Sequence, residues 1–479
     1  MAAGVWWALA AAGVAAEDLT QAAHISRASY TTAMEELAVW CDQHGLKQQA
    51  EVTRAPFAKP DPYKFYVVLL PQQPADSTLP KDASADVIEW NARLTRLKHA
   101  QAEALWELAR RAAKSQRASL AFELILAALR ENPDHEAIRN LLGYQRYEGR
   151  WCTAYEVSKL RGGRVWHDKF GWLLASQVAR YEKGQRYSGG RWISAEEDAR
   201  LHRAMQAGWD IETEHYSIRT NHSIEAGVRL GAKLEQLYRV WEQLFVRFYM
   251  TDAQLLAAFE GHGRAQSSEH RRHQVAYYRD QEEYNRALRA IVPNIGISIG
   301  LYYNPTHRVY CFAGKEQDDR TLFHEGTHQL FSESRATSPN AGRTNNFWMI
   351  EGVALFMESL HQENGGWALG GVDDVRFHAA QYRLLQDHFY VPLGEFVGYG
   401  MDRLQNDKRI ATLYSQAAGL THFLMFYAGG RYREALVNYL NAIYNGRDTA
   451  NTLSGLTETS YADLDRQYRE FMEAALPRE

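Results

Sequence analysis

Apolar residues recur at helical spacing between about residue 87 and residue 147. The recurring positions are Leu94, Leu97, Ala104, Leu105 and Leu108, and then Leu120, Leu124, Ala127 and Ala128. Steps of three and four residues place such positions on one face of a helix, so the pattern predicts successive amphipathic helices. Pro133 is expected to end one of these helices, and Asp134 can begin the next.

A short motif occurs twice downstream of these helices. Residues 147–154 read YEGRWCTA, and residues 187–195 read YSGGRWISA. Each copy predicts a turn with a packed Trp, namely Trp151 or Trp192, followed by a Thr or Ser hydroxyl that caps an acidic helix. We interpret the copies as scaffold modules with buried Trp side chains, and an exposed Trp that contacts a ligand is the alternative.

The pattern changes to strands and long helices from about residue 211. Residues 214–220 alternate like a strand, as residues 63–70 do earlier, and residues 224–249 have the spacing of a long amphipathic helix. Residues 297–303 and 309–312 predict a hairpin, and helical patterns dominate afterwards. The fold class is therefore α+β and mainly helical. The predicted divisions are a segment at 17–86, a helical scaffold at 87–209 and a second domain at 210–479.

The helical scaffold admits two interpretations. Short helices separated by the turn at Pro133 are typical of tetratricopeptide-type hairpins. Generic helical packing is the alternative, because few such hairpins are present. Either form could bind a protein partner.

The N-terminus carries an apolar run from Val5 to Ala16. It is too short to span a bilayer as a helix, which needs about 20 residues. Its length and its Val-Ala-Ala ending are typical of a secretory signal peptide, so residues 1–16 predict export to the periplasm or medium of a bacterium. The run has no Lys or Arg before it, which leaves a frayed N-terminus and a cytoplasmic location open. No other stretch reaches membrane-spanning length.

Charge and cysteine content restrict the function classes. Lys and Arg number 54 and Asp and Glu number 58, for a net charge of -4. A balanced charge gives no basic field for a polyanion and disfavours nucleic acid as the principal ligand. The three cysteines, Cys41, Cys152 and Cys311, exclude a disulfide framework and a thiolate zinc knuckle. Any bound metal must therefore use His and carboxylate ligands.

Residues 321–331, TLFHEGTHQLF, contain an HExxH motif. At about 100° per residue, His324, His328 and Glu325 fall at about 0°, 40° and 100° around a helix, on one side of it. Two imidazoles one turn apart can bind one Zn²⁺ at about 2.0 to 2.1 Å, and the Glu then lies beside the metal, where it can take a proton from bound water.

A second helix, predicted from residues 347–360, retains carboxylates in an apolar setting. The segment FWMIEGVALFMESL is apolar on nearly every face except one stripe, where Glu351, Leu355 and Glu358 fall within about 60°. Burial of an unpaired carboxylate costs several kcal/mol, so these side chains need a cation or a hydrogen-bonding partner. A zinc ion would supply the cation.

These two segments resemble the gluzincin superfamily of metallopeptidases. Together with LYSQAAGLTHFLM and YADLDRQYREFM, they look like a largely uncharacterised bacterial family with a gluzincin-like peptidase domain, and the resemblance covers about residues 210–479. It implies a catalytic domain with a small mixed sheet, one zinc ion per chain held by His324, His328 and Glu351, and Glu325 as general base. Many gluzincins have an Asp four residues after the ligand Glu, but this chain has Leu355 at that position. Glu358 is therefore the candidate carboxylate that holds a zinc-bound His. The alternative is that Glu358 is an ordinary exposed surface residue.

The resemblance also implies the remaining parts of the site. Tyr414 is the candidate donor to the tetrahedral oxyanion, although a packing role is an alternative, and His422 is a weaker candidate. In the related enzymes an edge strand pairs with substrate backbone, which here would be residues 308–314. We expect Cys311 in that strand to be a small core residue.

One other group of histidines is present, namely His262, His270 and His273. Their spacing with carboxylates does not place them on one helix face, so we interpret them as a solvated loop and helix start rather than a second metal site.

The leading hypothesis is zinc-dependent hydrolysis of peptide bonds. In this mechanism a metal-activated water attacks the carbonyl while Glu325 moves the proton. A hydrolase of non-peptide amides is close to it in mechanism. An inactive, zinc-stabilised scaffold protein that binds partners through its helical repeats is the alternative from another class. The sequence does not distinguish an aminopeptidase from an endopeptidase.

Overall fold

A computed structural model describes residues 4–55, 61–67, 79–263, 271–293, 295–314, 318–363 and 366–476, with side chains from residue 19 onward and excluding that of residue 297. Its architecture is mainly helical with small mixed sheets, which confirms the predicted α+β class. The helices are α1 (Gly4–Gln43), α2 (Lys47–Arg54), α3 (Ala85–Lys114), α4 (Ala118–Glu131), α5 (Glu136–Leu141), α6 (Ala154–Arg161), α7 (Val178–Glu182), α8 (Ala195–Leu201), α9 (Ile224–Leu244), α10 (Val246–Tyr249), α11 (Asp252–Phe259), α12 (Gln281–Leu288), α13 (Asp319–Glu333), α14 (Phe347–Met357), α15 (Val375–Leu385), α16 (Leu393–Phe396), α17 (Met401–Gln405), α18 (Ile410–Gly430), α19 (Arg433–Tyr444), α20 (Thr452–Thr457) and α21 (Tyr461–Ala474).

The strands are short. They are β1 (Lys64–Val67), β2 (Tyr144–Tyr147), β3 (Arg150–Thr153), β4 (Arg164–His167), β5 (Gly171–Leu174), β6 (Gln185–Ser188), β7 (Arg191–Ser194), β8 (Trp209–Glu212), β9 (Tyr216–Thr220), β10 (His273–Tyr278), β11 (Leu301–Tyr303), β12 (Arg308–Phe312), β13 (His361–Glu363) and β14 (Gly366–Gly370). β1, β14 and β13 form a three-stranded sheet in that order.

The chain divides into two compact units. One comprises Met1–Pro62, Val67–Thr153 and Leu244–Gln266, and the other comprises Tyr63–Tyr66, Ala154–Gln243 and Ser267–Glu479. The first unit therefore combines segments that are far apart in the sequence. The divisions drawn from the sequence at residues 86 and 209 stay predictions.

Helices α3 and α4 supply most of the core of the first unit. Most of the predicted apolar positions are buried or partly buried, but Ala104 is exposed. Ala109, Phe122 and Ile125 also belong to the core. The predicted start of the next helix at Asp134 was wrong by one residue, since the His135 ring caps α5 by accepting from the Ile138 amide. The Asp134 carboxylate instead accepts hydrogen bonds from Trp151 Nε1 at 2.5 Å and from Arg146 at 2.6 Å.

The repeated motif belongs to a series of three hairpins, each followed in sequence by a short helix. The hairpins are β2–β3, β4–β5 and β6–β7. Sequence comparison found the first and third but missed the second, because Gly171-Trp172 replaces the Arg-Trp pair there. Trp151 is buried as predicted, whereas Trp192 is only partly buried. Ser194 caps α8 by accepting from the Glu197 amide, also as predicted.

In the second unit, five strands form one mixed sheet. Its order is β11-β12-β10-β9-β8, in which β10 is parallel to both β12 and β9. The predicted hairpin around Asn304 and Pro305 is present as antiparallel β11 and β12. The expectation that residues 308–314 form an edge strand was wrong, because β12 lies between β10 and β11. The edge belongs to β11, which is only three residues long.

Helices α14 and α18 approach each other closely. A Cβ on Gly352 would lie 2.5 Å from Thr421 Oγ1 and 2.8 Å from the Ala417 carbonyl oxygen. Glycine at this position therefore lets the two helices pack. Every residue of α14 is buried, as its uniformly apolar sequence predicts.

No helix in the described residues is long and apolar enough to cross a membrane. The side chains of residues 1–16, the candidate signal peptide, are outside the described part of the chain. The signal peptide therefore stays a prediction.

Candidate metal centre

Helix α13 is held in one orientation by its cap and its packing. The Asp318 carboxylate accepts a 3.2 Å hydrogen bond from the Thr321 amide at the helix start. A Cβ on Gly326 would lie 2.6 Å from Leu237 Cδ2 of α9, so the two helices approach closely there. Apolar residues of α13 fill the core, namely Leu322, Phe323, Leu330 and Phe331. The polar residues of the motif are left on the side that meets α14.

The two imidazoles of α13 converge on Glu351 of α14. The Nε2 atoms of His324 and His328 are 3.1 Å apart. His324 Nε2 lies 3.5 Å from Glu351 Oε2, and His328 Nε2 lies 3.7 Å from Glu351 Oε1. The possible ligand atoms of these three residues all lie within 4.8 Å of one another. Among the described residues, this is the one group of three or more His, Cys, Asp or Glu side chains with that spacing. The group is close enough to hold a metal ion.

Helix α14 is fixed at its N-terminus by a buried polar cluster. Asn346 adopts a left-handed backbone conformation with φ of 58° just before the helix. Its side-chain nitrogen, Nδ2, donates to Asp448 at 2.7 Å, and its side-chain oxygen, Oδ1, accepts from the Tyr439 hydroxyl at 2.5 Å. These bonds anchor the helix one turn before Glu351.

Glu358 lies behind His324, on the side away from Glu351. Its Oε1 is 2.8 Å from His324 Nδ1, so that nitrogen donates and Nε2 keeps its lone pair for a metal. Arg376 of α15 donates to both oxygens of the same carboxylate, at 2.8 and 3.2 Å. Glu358 is only 6% exposed, so it is not an ordinary surface residue. Leu355, at the position where many gluzincins have Asp, is an apolar core residue.

The electrostatic environment of the group favours a cation. Burial alone would raise the pKa of Glu351, but the two imidazoles outweigh it and hold this pKa far below its usual range. Burial alone would lower the pKa of His324, but hydrogen bonds to Glu351 and Glu358 raise it to about 10. Surroundings that stabilise positive charge on an imidazole also stabilise a metal ion there.

Glu325 contacts the edge strand of the sheet. Its Oε2 accepts a 2.6 Å hydrogen bond from the Tyr302 amide of β11. Gly300 precedes that strand, and a Cβ there would lie 2.7 Å from Thr321 Cγ2 and 3.3 Å from Glu325 Cγ. The absence of a side chain at Gly300 lets β11 approach α13.

Tyr414 and His422 of α18 have different surroundings. Burial, followed by the charge of Glu351, raises the pKa of Tyr414 far above its usual value, which places this side chain near Glu351. His422 is fully buried, and its Nδ1 lies 2.9 Å from the Ala418 carbonyl oxygen. Its ring packs against Phe356 and Phe377. The charge of Glu351 therefore acts on Tyr414, whereas His422 lies against Ala418, Phe356 and Phe377.

Two expectations about other residues can be compared with the structure. Cys311 is buried in β12, as expected of a small core residue. The interpretation of His273 as part of a solvated loop was wrong, because it begins β10 with its side chain buried and its Nδ1 2.7 Å from Glu333. His262 is exposed, and His270 lies outside the described residues.

Sequence reasoning missed Arg376, Tyr302 and Tyr444. Burial and then the charge of Glu351 raise the pKa of Tyr444, which places this side chain near the group. Each contact joins residues that are far apart in the chain, and no local pattern signals it. The carboxylate-bearing stripe of α14 identified Glu358, but not the arginine that pairs with it.

The comparison with known families gives one match. Residues 319–447, which include α13, α14 and α18, match a family described as protein of unknown function (DUF1570). No curated protein matches the chain. The matched region therefore contains His324, His328 and Glu351, and the description of the family gives no activity.

Proposed function

We propose that this protein is a zinc-dependent peptidase. The observation that carries the proposal is the convergence of His324, His328 and Glu351 with Glu325 on the same helix. A structural metal site needs no acid-base residue next to its ligands, whereas a hydrolytic site does. The resemblance to gluzincins supports the same reaction.

The donor set supports zinc as the metal. Two imidazole nitrogens and one carboxylate oxygen are the protein ligands of several catalytic zinc sites, which keep a fourth position open. Tetrahedral nitrogen ligands at about 2.0 to 2.1 Å from one ion lie about 3.3 Å apart, close to the observed separation of 3.1 Å. Small adjustments of the side chains would thus complete the site.

The residues would divide the work of hydrolysis among them. When bound, zinc lowers the pKa of a coordinated water toward about 7 and polarises the carbonyl of the substrate. Glu325 would accept the proton of the attacking water and return it to the leaving amine. The Tyr302 amide, which now donates to Glu325, would hold that carboxylate in place. Tyr414 would donate either to Glu351 or to the developing oxyanion.

An inactive, zinc-stabilised scaffold protein is the second candidate. The hydrogen bond between the Tyr302 amide and Glu325 favours it, because this bond gives Glu325 a structural role between β11 and α13. Partners would then bind to the helices of the first unit. In this case Glu325 would matter for stability and not for turnover.

A peptide-library cleavage assay on the zinc-loaded protein distinguishes the two candidates. We expect the wild type to cleave peptides and Glu325→Gln to keep its zinc while it loses about 100- to 10,000-fold in turnover. Glu282→Gln, a change of an exposed carboxylate on α12, is the matched control and should retain full activity. Equal rates for wild type and Glu325→Gln would contradict the base assignment, and the absence of cleavage by the wild type would favour the scaffold.

A further inference from the structure

Two neighbouring hairpins each carry a cross-strand aromatic pair with one exposed ring. In β4–β5, Trp166 lies opposite Trp172 with ring centroids 5.7 Å apart, and in β6–β7, Tyr187 lies opposite Trp192 at 5.3 Å. Trp166 is 37% exposed and Tyr187 is 47% exposed. Of the residues that alternate with these pairs, Leu173, Arg186 and Ile193 are buried on the other face and Val165 is partly buried. Each hairpin therefore shows one exposed ring beside a partly buried Trp.

A small shared core holds the two hairpins together. Phe170, next to β5, packs on Tyr181 of α7 with centroids 5.4 Å apart, and Tyr181 packs on Trp192 at 6.0 Å. Leu173 and Phe170 are buried in the same cluster. This core fixes Trp192 and the backbones of the two hairpins before any ligand arrives, which reduces the entropy that binding costs.

The same stretch is strongly basic in an acidic protein. Residues 159–194 contain eight Lys and Arg and two Asp and Glu, a local net charge of +6 against -4 for the chain. Arg180 lies over the Trp192 ring at 4.4 Å. Arg164 shares the outer face of β4 with Trp166, since alternate strand residues point the same way. Four exposed cations of this stretch make no ion pair within the described part of the chain, namely Arg164, Lys169, Arg180 and Lys183.

We propose that the outer faces of β4–β5 and β6–β7 bind an anionic polysaccharide built of uronic acid units. The electron-rich faces of Trp and Tyr attract the C–H face of a sugar ring, and unpaired Arg and Lys attract its carboxylate. Two equivalent faces on successive hairpins match a ligand whose own units repeat. This surface is distinct from the metal centre, and the proposal does not depend on peptidase activity.

Other polyanions fit the surface less well. The cross-strand rings are steeply inclined to each other, at 71° and 59°, so they leave no slot between them for a flat base. A polyphosphate carries no sugar rings, so it would leave the aromatic side chains without a partner. An acidic peptide could pair with the cations, but it carries no ring faces to match the aromatic pairs.

Affinity electrophoresis of the full chain in gels that contain polygalacturonate tests the proposal. We expect the polymer to retard the wild type, and the fully methyl-esterified polymer, which lacks the charges, to retard it at least about tenfold less. Trp166→Ala with Tyr187→Ala should weaken binding at least tenfold, and Arg164→Gln with Arg180→Gln should weaken it and flatten its salt dependence. Tyr382→Ala and Lys408→Gln, which change exposed residues elsewhere in the second unit, are the matched controls and should bind like wild type.

Four results would overturn the proposal. They are the absence of retardation by polygalacturonate, equal retardation by its methyl ester, equal binding of all variants, and binding of polyglutamate or oligothymidylate as tight as that of polygalacturonate. Thermal unfolding checks that the variants fold. If the aromatic double variant does not fold, the cation double variant decides, because its side chains are not part of the hairpin core.

Discussion

At the scale of single residues, the candidate metal centre depends on side chains that hold its ligands. Glu358 accepts from His324 Nδ1, and Arg376 in turn donates to Glu358. Such partners fix the tautomer and orientation of a ligand histidine. The pair of imidazoles was predictable from the HExxH spacing, because helical geometry alone brings His324 and His328 together, whereas Glu351 came from the second helix and the resemblance. Arg376 was not predictable, because its contact depends on how α15 packs.

Removal of the Glu358 carboxylate should weaken metal binding. We expect Glu358→Leu to reduce zinc affinity by about 10- to 100-fold, since His324 loses the acceptor that orients its ring. Arg376→Gln should have a smaller effect in the same direction. Competition with a chelating dye measures the affinity, and Glu395→Gln, an exposed carboxylate, is the control. Unchanged affinity in Glu358→Leu would show that the ring is held by other contacts.

A second residue-scale prediction concerns the ion pair between His215 and Glu235, whose atoms are 2.7 Å apart. Burial alone would raise the pKa of Glu235, but His215 outweighs it and lowers this pKa to about 2. Burial would lower the pKa of His215, but Glu235 outweighs it and raises this pKa. The carboxylate contributes stability above pH about 4.5 and loses it as pH falls through about 2, whereas the imidazole contributes below about 6.5 and loses it as pH rises through its folded pKa.

Both contributions are complete only between about pH 4.5 and 6.5. Glu235→Gln should therefore reduce the free energy of unfolding by about 2 kcal/mol in this window and by less on either side of it. Urea denaturation at a series of pH values measures the difference. A loss that is the same at every pH would mean that the charge of the pair is not what stabilises the fold.

At the scale of elements, the contact between α14 and α18 determines where Glu351 lies. The apolar sequence of α14 predicted a buried helix, but not which helix covers it. Likewise, the hairpin of β11 and β12 was predictable from local alternation, whereas the order of strands in the sheet was not. Strand order depends on contacts between distant segments, and for this reason the edge position was assigned to the wrong strand.

A substitution at Gly352 tests the contact between α14 and α18. Gly352→Ala would place a methyl group against the Ala417 carbonyl and Thr421, so we expect a loss of about 1 to 3 kcal/mol in unfolding free energy. Zinc affinity should fall as well, because Glu351 is the adjacent residue. Gly455→Ala in α20, where a Cβ has open space, is the matched control and should be neutral or stabilising by up to about 1 kcal/mol. Equal stability of the two variants would contradict the close approach.

At the scale of the whole molecule, the sequence provided the fold class but not the grouping of segments. Residues 244–266 join the first unit because their apolar side chains complete the core around α3 and α4. The middle hairpin module escaped detection because its Trp follows Gly rather than Arg. The net charge of the whole chain gave no sign of the basic stretch at residues 159–194, because the negative charge of other regions cancels it in the sum.

We propose that His324, His328 and Glu351 form a zinc site, and metal analysis of the purified protein is the strongest test of this proposal. We predict one zinc ion per chain by mass spectrometry, and close to none in a variant that combines His328→Ala with Glu351→Ala. The absence of stoichiometric zinc in the wild type, or its retention in the double variant, would contradict the account.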